Sequence, residues 1–348
     1  MTESKKTGKT IFELISRSFK IYFDNFPKLT RVMLFPVFGQ VLGMILIFVV
    51  NYFYTQKYLV KIADGTLNHN ILLAIIGMFV LMVPGFILFV KAFWEYLVAM
   101  VSLNKMVWNI EKTETFEHFK LYNKEIADRK KDYIILLLLL TVIWLFIVLI
   151  FPVLSFMAGL FVHISPELIK QLGENPSPEL IAQNSGIIIS YILANLAVFI
   201  ISTVIIIFLS VKISLAFQVF AFENIKPLDV IKKSWNLLRG NFWRTVFLGF
   251  VLMFFTATVV PLIFNIVIIT SGLINYLVMP FDAYISILLG GEEFGNIMQQ
   301  AQLSRVELAA QTVFASIDGI ITSLMLPLGS AAFTLLYFDI LERKNADV

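Results

Sequence analysis

Long apolar stretches alternate with short polar ones along the whole chain. Six apolar runs reach the roughly 20 residues that a helix needs to cross a hydrocarbon core about 30 Å thick. They are Val32–Tyr54, Ile71–Trp94, Tyr133–Val162, Ile187–Val211, Thr245–Thr270 and Ala309–Tyr337. This pattern predicts an all-α membrane protein with six transmembrane helices.

One further apolar segment, Leu273–Leu289, is shorter and is interrupted by Pro280 and Asp282. A proline and a charge within so short a run are unusual for a helix that crosses a bilayer. We expect a re-entrant or interfacial segment on the outer side, and a seventh span is the alternative.

The composition agrees with a lipid environment. Of the 348 residues 59% are hydrophobic and only 15% are charged, and the mean hydropathy is +0.85. Soluble domains carry about 25% charged residues. The basic residues are scattered in short loops, which gives no argument for nucleic acid, and the absence of cysteine excludes disulfides and thiolate chemistry.

Lys and Arg are distributed unequally between the two sets of loops. Twenty-one lie in the N-terminal segment, in the loops 102–132 and 223–244 and at the C-terminus, whereas the opposite loops hold four. Positive charge accumulates on the cytoplasmic side of membrane proteins. The asymmetry predicts that both termini are cytoplasmic.

An internal repeat links the loops that precede three of the spans. Phe12–Lys28 aligns without a gap to Leu228–Arg244 at an offset of 216, and Thr115–Ala127 is a weaker third copy. The identical pairs are Ile15/Ile231, Ser18/Ser234, Asn25/Asn241 and Phe26/Phe242. We expect one membrane domain, 1–348, built from three units of an interfacial helix plus a helical hairpin, approximately 10–110, 114–224 and 226–344.

The repeated segments have the spacing of amphipathic helices. Ile11–Phe23 and Leu228–Leu238 each carry one apolar face, on which Phe19 and Trp235 are the expected anchors. Pro227 suits a helix start, and Gly240 suits a left-handed cap, a conformation that Asp24 and Asn25 also tolerate. These helices are predicted to lie at the cytoplasmic surface, each turning into a span near Asn25 or Asn241.

The segment Ala216–Arg244, with the run Phe-Glu-Asn-Ile-Lys-Pro-Leu-Asp-Val-Ile-Lys-Lys-Ser-Trp, resembles bacterial membrane families of the glycerophosphoryl-diester-phosphodiesterase membrane-domain type. The ending Leu336–Lys344 is similar to their closing pattern. The resemblance implies a bacterial inner membrane. In such phosphodiesterases the chemistry belongs to a separate barrel with a His-Arg pair, which this sequence lacks, so no enzyme activity is expected.

Five ionisable residues within or beside the spans are candidates for a function in the membrane. Lys91 and Glu95 lie four residues apart and can pair on one helix face. Lys91 and Lys212 are repeat-equivalent, and their position near the cytoplasmic surface also allows simple snorkelling to headgroups. Asp318 in the last span and Asp282 in the broken segment could bind a cation or a proton, or could face a wet vestibule.

Metal or cofactor sites are not predicted. His69, His118 and His163 fall in loops and lack metal-ligand spacing. Gly39 and Gly43 have the small-residue spacing that lets a second helix approach, within the chain or in a dimer.

The sequence therefore predicts a non-enzymatic inner-membrane protein, a scaffold or a factor in membrane or envelope homeostasis. Its partners would be the lipid bilayer and a membrane protein or a second copy of the chain. The alternative is a transporter or channel for a small or lipidic solute, favoured by the repeat and by Asp318.

Overall fold

Helices account for every regular element in the described part of the chain. The computed structural model describes residues 9–54, 58, 60–63, 65, 70–113, 119–162, 170, 177–279 and 305–346. The helices are α1 (Ile11–Asp24), α2 (Phe26–Tyr54), α3 (Val60–Ala63), α4 (Ile71–Thr113), α5 (Phe119–Asp128), α6 (Lys130–Phe161), α7 (Pro178–Gln183), α8 (Ser185–Ile213), α9 (Ala216–Phe222), α10 (Pro227–Leu237), α11 (Phe242–Phe254), α12 (Val260–Thr270), α13 (Arg305–Leu324) and α14 (Leu326–Ala346). A π-helical turn, Phe255–Val259, joins α11 to α12.

Within these ranges, five helical stretches are long and apolar enough to cross a membrane. They are Phe26–Asn51, Ile71–Thr113, Lys130–Phe161, Ser185–Phe222 and Phe242–Thr270. A sixth span exists if Ala310–Leu324 and Leu326–Asn345, which are bent by 41° at Met325, act as one. The chain is a multi-pass helical membrane protein, and each apolar run from the sequence coincides with one of these elements.

The second span extends well beyond its predicted end. The apolar run ends at Trp94, but α4 continues to Thr113. No glycine or proline lies between these two residues, so nothing in the sequence breaks the helix there. At 1.5 Å per residue, 43 residues measure roughly 65 Å, about twice the hydrocarbon thickness. The second half of α4 therefore leaves the bilayer and packs in protein.

The chain divides into two compact units, one of Met1–Ile126 with Phe247–Val348 and one of Ala127–Val246. In the first unit α1 packs on α14, and both pack on the second half of α4. Fully buried side chains from these three helices form its core; they include Leu14, Tyr22, Leu103, Met106, Leu336 and Tyr337. The best-packed region of this unit is thus where α1 meets the ends of the spans.

The α2–α4 hairpin is held by a close approach of two backbones. A Cβ atom built on Gly43 would lie 2.7 Å from the backbone N of Phe89 and 2.9 Å from the carbonyl O of Gly85. A Cβ on Gly39 would lie 2.8 Å from the Cβ of Ala92. The small-residue spacing in the first span therefore packs against α4 of the same chain.

In the second unit α6 packs on α8, and α10 packs on α6, α8 and α9. The face of α10 that points inward contributes Val230, Ser234 and Leu237. The Arg129 guanidinium donates to the carbonyls of Phe220 at 3.0 Å and Glu223 at 3.1 Å, so it satisfies groups that the end of α9 leaves free.

The predicted interfacial helices match α1 and α10 to within one residue at each end. Pro227 occupies the first turn of α10, and Gly240 has a φ of 88°, so both expectations there are confirmed. The left-handed turn expected near Asn25 is wrong. Asn25 has φ −115° and ψ 17°, because its side-chain amide and its N–H both donate to the carbonyl of Ile21 and end α1 without that conformation.

The third repeat copy, Thr115–Ala127, coincides with α5 from Phe119 onward, and residues 114–118 lie outside the described ranges. Of the ambiguous segment, residues 273–279 are helical, and Ile274 and Val278 pack against Val313 of α13. The rest of that segment, with Pro280 and Asp282, lies outside the described residues.

Candidate functional site

Asp318 of α13 contacts Asn265 of α12. The side-chain amide of Asn265 donates to Asp318 Oδ1 at 2.9 Å. The carbonyl oxygen of the same amide, Oδ1, is buried and has no hydrogen-bond partner among the described residues. A carboxylate and an unpaired amide oxygen thus lie together between two apolar helices, where a charge without a partner is costly.

A π-helical turn within the neighbouring span lies near this pair, and Pro261, which follows it, is one turn from Asn265. Pro261 has no N–H and cannot continue the α-helical hydrogen bonding of its turn, and the preceding residues Phe255–Val259 form a π-helical turn. Such turns widen a helix locally and often occur at functional sites. The π turn also contacts α13, the helix that carries Asp318.

The Asp318 carboxylate and the Asn265 amide oxygen can act only as hydrogen-bond acceptors or as ligands of a cation. They could accept a cation or a proton donor. Among the described residues there is no group of three or more His, Asp or Glu side chains that could hold a metal ion. Asp282, His69, His118 and His163 lie outside the described residues.

Lys91 and Glu95 have separate partners. The Lys91 ammonium lies 5.6 Å from the centre of the Phe35 ring. Glu95 accepts a hydrogen bond from the side-chain amide of Asn123 at 3.4 Å, and Asn123 in turn accepts one from Ser102 at 2.8 Å. Helix α5 therefore supplies the partner of Glu95, and the two residues of α4 do not rely on each other.

Lys212, which the sequence pattern aligned with Lys91, is in a different environment. Its side chain is only 7% exposed. The ammonium lies 5.4 Å from the ring centre of Trp235 and 5.6 Å from that of Phe208. The Ser234 hydroxyl donates to the Lys212 carbonyl at 2.9 Å and ties α10 to the end of α8. Two aromatic rings, one on α8 and one on α10, thus lie beside the Lys212 ammonium.

The two expected anchors each pack on a span. The Phe19 ring meets the Phe255 ring edge-on at 4.8 Å between centres. The Trp235 ring meets Phe208 edge-on at 5.5 Å and remains 38% exposed. Edge-on pairs of this kind stabilise by about 0.5–1.5 kcal/mol beyond area burial. Each anchor therefore joins its helix, α1 or α10, to a span, and Trp235 also presents an aromatic surface outward.

Three acidic residues at the ends of spans were missed by the sequence reasoning. They are Glu111, Glu223 and Asp339, and each forms hydrogen bonds or ion pairs with basic side chains or backbone from an interfacial segment. Arg17 reaches Glu111 at 2.8 Å, and Lys233 reaches Glu223 at 2.6 Å. The buried carboxylate of Asp339 accepts from the N–H of Lys9 at 2.7 Å.

A sequence signal for these acids does exist. Each one lies nine residues after a serine, in the pairs Ser102/Glu111, Ser214/Glu223 and Ser330/Asp339. Arg343 adds a second contact to Asp339 at 2.9 Å and donates to the Lys9 carbonyl at 2.8 Å, so the segment before α1 is fastened to α14.

In comparisons with known proteins, no family model, no curated protein and no solved structure matches this chain.

Proposed function

We propose that the chain is a non-enzymatic scaffold of the bacterial cytoplasmic membrane, a multi-pass protein with both termini in the cytoplasm that contributes to membrane or envelope homeostasis. The proposal rests on the location of the most deeply buried side chains. In the first unit, buried side chains concentrate where α1 joins α14 and the second half of α4. Such packing favours a structural role, because it fixes the interfacial helices on the span ends.

The burial pattern supports three repeated units, 10–110, 114–224 and 226–344. Positions related by the offset of 216 are buried alike: Leu14/Val230, Ser18/Ser234, Ile21/Leu237 and Tyr22/Leu238. In α5, Tyr122 and Ile126 occupy the positions of Ser18 and Tyr22 at an offset of 104, and they are buried too. The spans that follow begin at Phe26, Lys130 and Phe242, which keep the same two offsets.

A recurring contact further supports the repeat. Each predicted interfacial helix packs on a closing span of the proposed units: α5 on α4, α10 on α9 and α1 on α14. The contacts of α5 with α4 include an ion pair between Glu125 and Lys105. Because the same packing of an interfacial helix on a span occurs three times, it favours a structural role for these helices.

The likeness of residues 216–244 and 336–344 to membrane domains of the glycerophosphoryl-diester-phosphodiesterase type supports the placement in a bacterial cytoplasmic membrane. We propose kinship with such membrane domains and, for this chain, no catalysis, since the sequence has no His-Arg pair. The exposed Trp235 ring and the basic loops suit contact with the bilayer, a membrane-protein partner or a second copy.

Transport of a small or lipidic solute is the second candidate. The observation that favours it is the Asp318–Asn265 pair beside the π turn of the preceding span. π-Helical turns often occur at functional sites, and ionisable groups within the membrane mark substrate or ion pathways. In this alternative Asp318 would bind a coupling cation or a proton.

Complementation distinguishes the two functions. A strain that lacks the gene would be supplied with Trp235→Ala, Lys232→Ala or Asp318→Asn, and envelope integrity would be measured under detergent and osmotic stress at matched protein levels. A scaffold predicts that Trp235→Ala fails, whereas Lys232→Ala and Asp318→Asn restore growth. If Asp318→Asn fails at the parental folded level while Trp235→Ala succeeds, the protein is a transporter and the scaffold proposal is wrong.

A further inference from the structure

An unpaired ammonium group is enclosed at the end of α8. Lys212 is 7% exposed, and its Nζ lies over the rings of Phe208 and Trp235. No carboxylate pairs with it among the described residues. Aromatic faces stabilise a cation but supply no negative charge. A mostly buried lysine is stabilised by an anionic partner, and none is present among the described residues, so an anion from outside the chain can pair with Lys212.

Two acids of the second unit, Glu223 and Asp229, are engaged with other bases. Glu223 pairs with Lys233 at 2.6 Å, and Asp229 pairs with Lys232 at 3.6 Å. At this end of the unit, between 128 and 132 and between 212 and 244, nine basic residues stand against four acidic ones. The excess positive charge makes an anion from outside the chain the fitting partner.

A second polar group at the same helix end also lacks a partner. The Ser214 hydroxyl, two residues after Lys212, is buried and has no hydrogen-bond partner among the described residues. In the first unit the corresponding Ser102 donates to Asn123. Residues two apart on a helix do not face each other, so of these two groups only the Lys212 ammonium lies at the aromatic rings, and an ammonium donates to phosphate oxygens.

The position of the Lys212 ammonium selects the kind of anion. Lys212 closes a helix that is apolar over its whole length, and Trp235 beside it lies on an amphipathic helix with an exposed aromatic edge. Tryptophan rings and lysine side chains are typical of the headgroup level of a bilayer. The anion found at that level is the phosphate of a phospholipid.

We propose that Lys212, beside the rings of Phe208 and Trp235, binds the phosphate headgroup of an anionic phospholipid at the end of the second unit. This site goes beyond the scaffold function and requires only that the chain spans a bilayer. A purely structural lysine is the competing explanation, because a cation at a helix C-terminus is also stabilised by the helix dipole. The two explanations differ in whether a lipid phosphate is bound.

Lipid binding to the purified full chain in detergent can be measured by native mass spectrometry with phosphatidylglycerol and with phosphatidylcholine. We expect phosphatidylglycerol to bind the parent more tightly than phosphatidylcholine. Lys212→Met, which keeps the length of the side chain, should weaken phosphatidylglycerol binding about fivefold, the effect of one basic residue near a membrane surface. Lys212→Arg should retain the affinity. Lys91→Met is the matched control and should bind like the parent.

Equal affinity of the parent and Lys212→Met for phosphatidylglycerol would overturn the proposal, as would a Lys91→Met loss of the same size. Inorganic phosphate and glycerol phosphate, each tested at millimolar concentration, distinguish a soluble phosphate ligand from a lipid phosphate. If either one binds the parent without a lipid tail, with the same dependence on Lys212, the ligand is a soluble phosphate and the lipid assignment is wrong.

A second measurement uses only the parent protein, so that it holds if Lys212→Met does not fold. Phosphatidylglycerol with a photoreactive group near its phosphate is cross-linked in nanodiscs, and the labelled peptides are located by mass spectrometry. We expect labels concentrated in 205–240 and reduced by unlabelled phosphatidylglycerol. Labels spread over all span ends, or the same labels from a phosphatidylcholine probe, would contradict a specific site.

Discussion

Replacing Gly43 with alanine tests the closest helix–helix contact of the chain. The new Cβ would lie 2.7 Å from the Phe89 backbone N and 2.9 Å from the Gly85 carbonyl O. Contacts between non-bonded heavy atoms are optimal at about 3.5–4.0 Å, so α2 and α4 must separate by roughly 1 Å. Both contacted atoms are backbone, and rotation of a side chain cannot relieve the overlap.

The cost can be bounded from similar substitutions. Overpacking a tight interior destabilises by about 1–3 kcal/mol. The alanine regains up to about 1 kcal/mol of helix propensity, measured in soluble helices. Gly319→Ala is the matched control, because a Cβ there meets no atom within 4 Å and only the propensity gain applies. The two variants should therefore differ by about 1–3 kcal/mol in the free energy of unfolding.

The free energy of unfolding of both variants would be measured by SDS titration in mixed micelles, with helical circular dichroism as the signal. Gly43→Ala should unfold at a lower SDS fraction than the parent, and Gly319→Ala at the same or a higher one. A Gly43→Ala protein as stable as Gly319→Ala would refute the close packing of α2 on α4.

Two further predictions concern the second unit. Trp235→Ala should destabilise by about 1–2 kcal/mol more than Lys232→Ala. Most of the tryptophan is buried, since only 38% of it is exposed, whereas the Lys232 side chain is 73% exposed. Alanine is the better replacement here, because an aspartate at 235 could pair with a nearby ammonium. Arg129→Met should destabilise by about 1–3 kcal/mol more than Lys131→Met, because the Phe220 carbonyl and its neighbours lose their donor. Equal losses within either pair, measured by the same SDS titration, would contradict these assignments.

The helical class follows from the sequence because it depends on local properties. A run of roughly 20 apolar residues must be a helix in lipid, since only a helix satisfies its own backbone groups. The bounds of α10 could also be predicted from the sequence, because Pro227 and Gly240 act through their own backbone conformations. The end of α4 could not be predicted in this way. The apolar run ends at Trp94, but the helix continues because its second half is buried against α1 and α14.

The contacts of the candidate residues depend on parts of the chain that are distant in sequence. Spacing along one helix brings Lys91 and Glu95 to the same face, but it cannot show that Asn123 arrives from another helix. Burial of Lys212 depends in the same way on the placement of Trp235. The surroundings of a charge within or beside a span are thus set by tertiary packing.

The acids that close the spans were missed for a different reason. Glu111 lies beyond the apolar run, at a position where a charged residue looks like ordinary loop composition. Only its alignment with Glu223 and Asp339, each nine residues after a serine, distinguishes it from other polar residues. Once α1 and α14 are in place, the ion pair with Arg17 gives that position a structural meaning.

The side of the membrane on which the interfacial helices lie is the claim on which the scaffold function rests. The chain contains no cysteine, so Lys124→Cys in α5 and Glu179→Cys in α7 each introduce a single thiol, and both positions are exposed. Intact spheroplasts would be treated with a membrane-impermeant maleimide before and after permeabilisation. We predict labelling of Glu179→Cys in intact spheroplasts and of Lys124→Cys only after permeabilisation. Labelling of Lys124→Cys from outside intact cells would place α5 outside the cytoplasm and contradict the account.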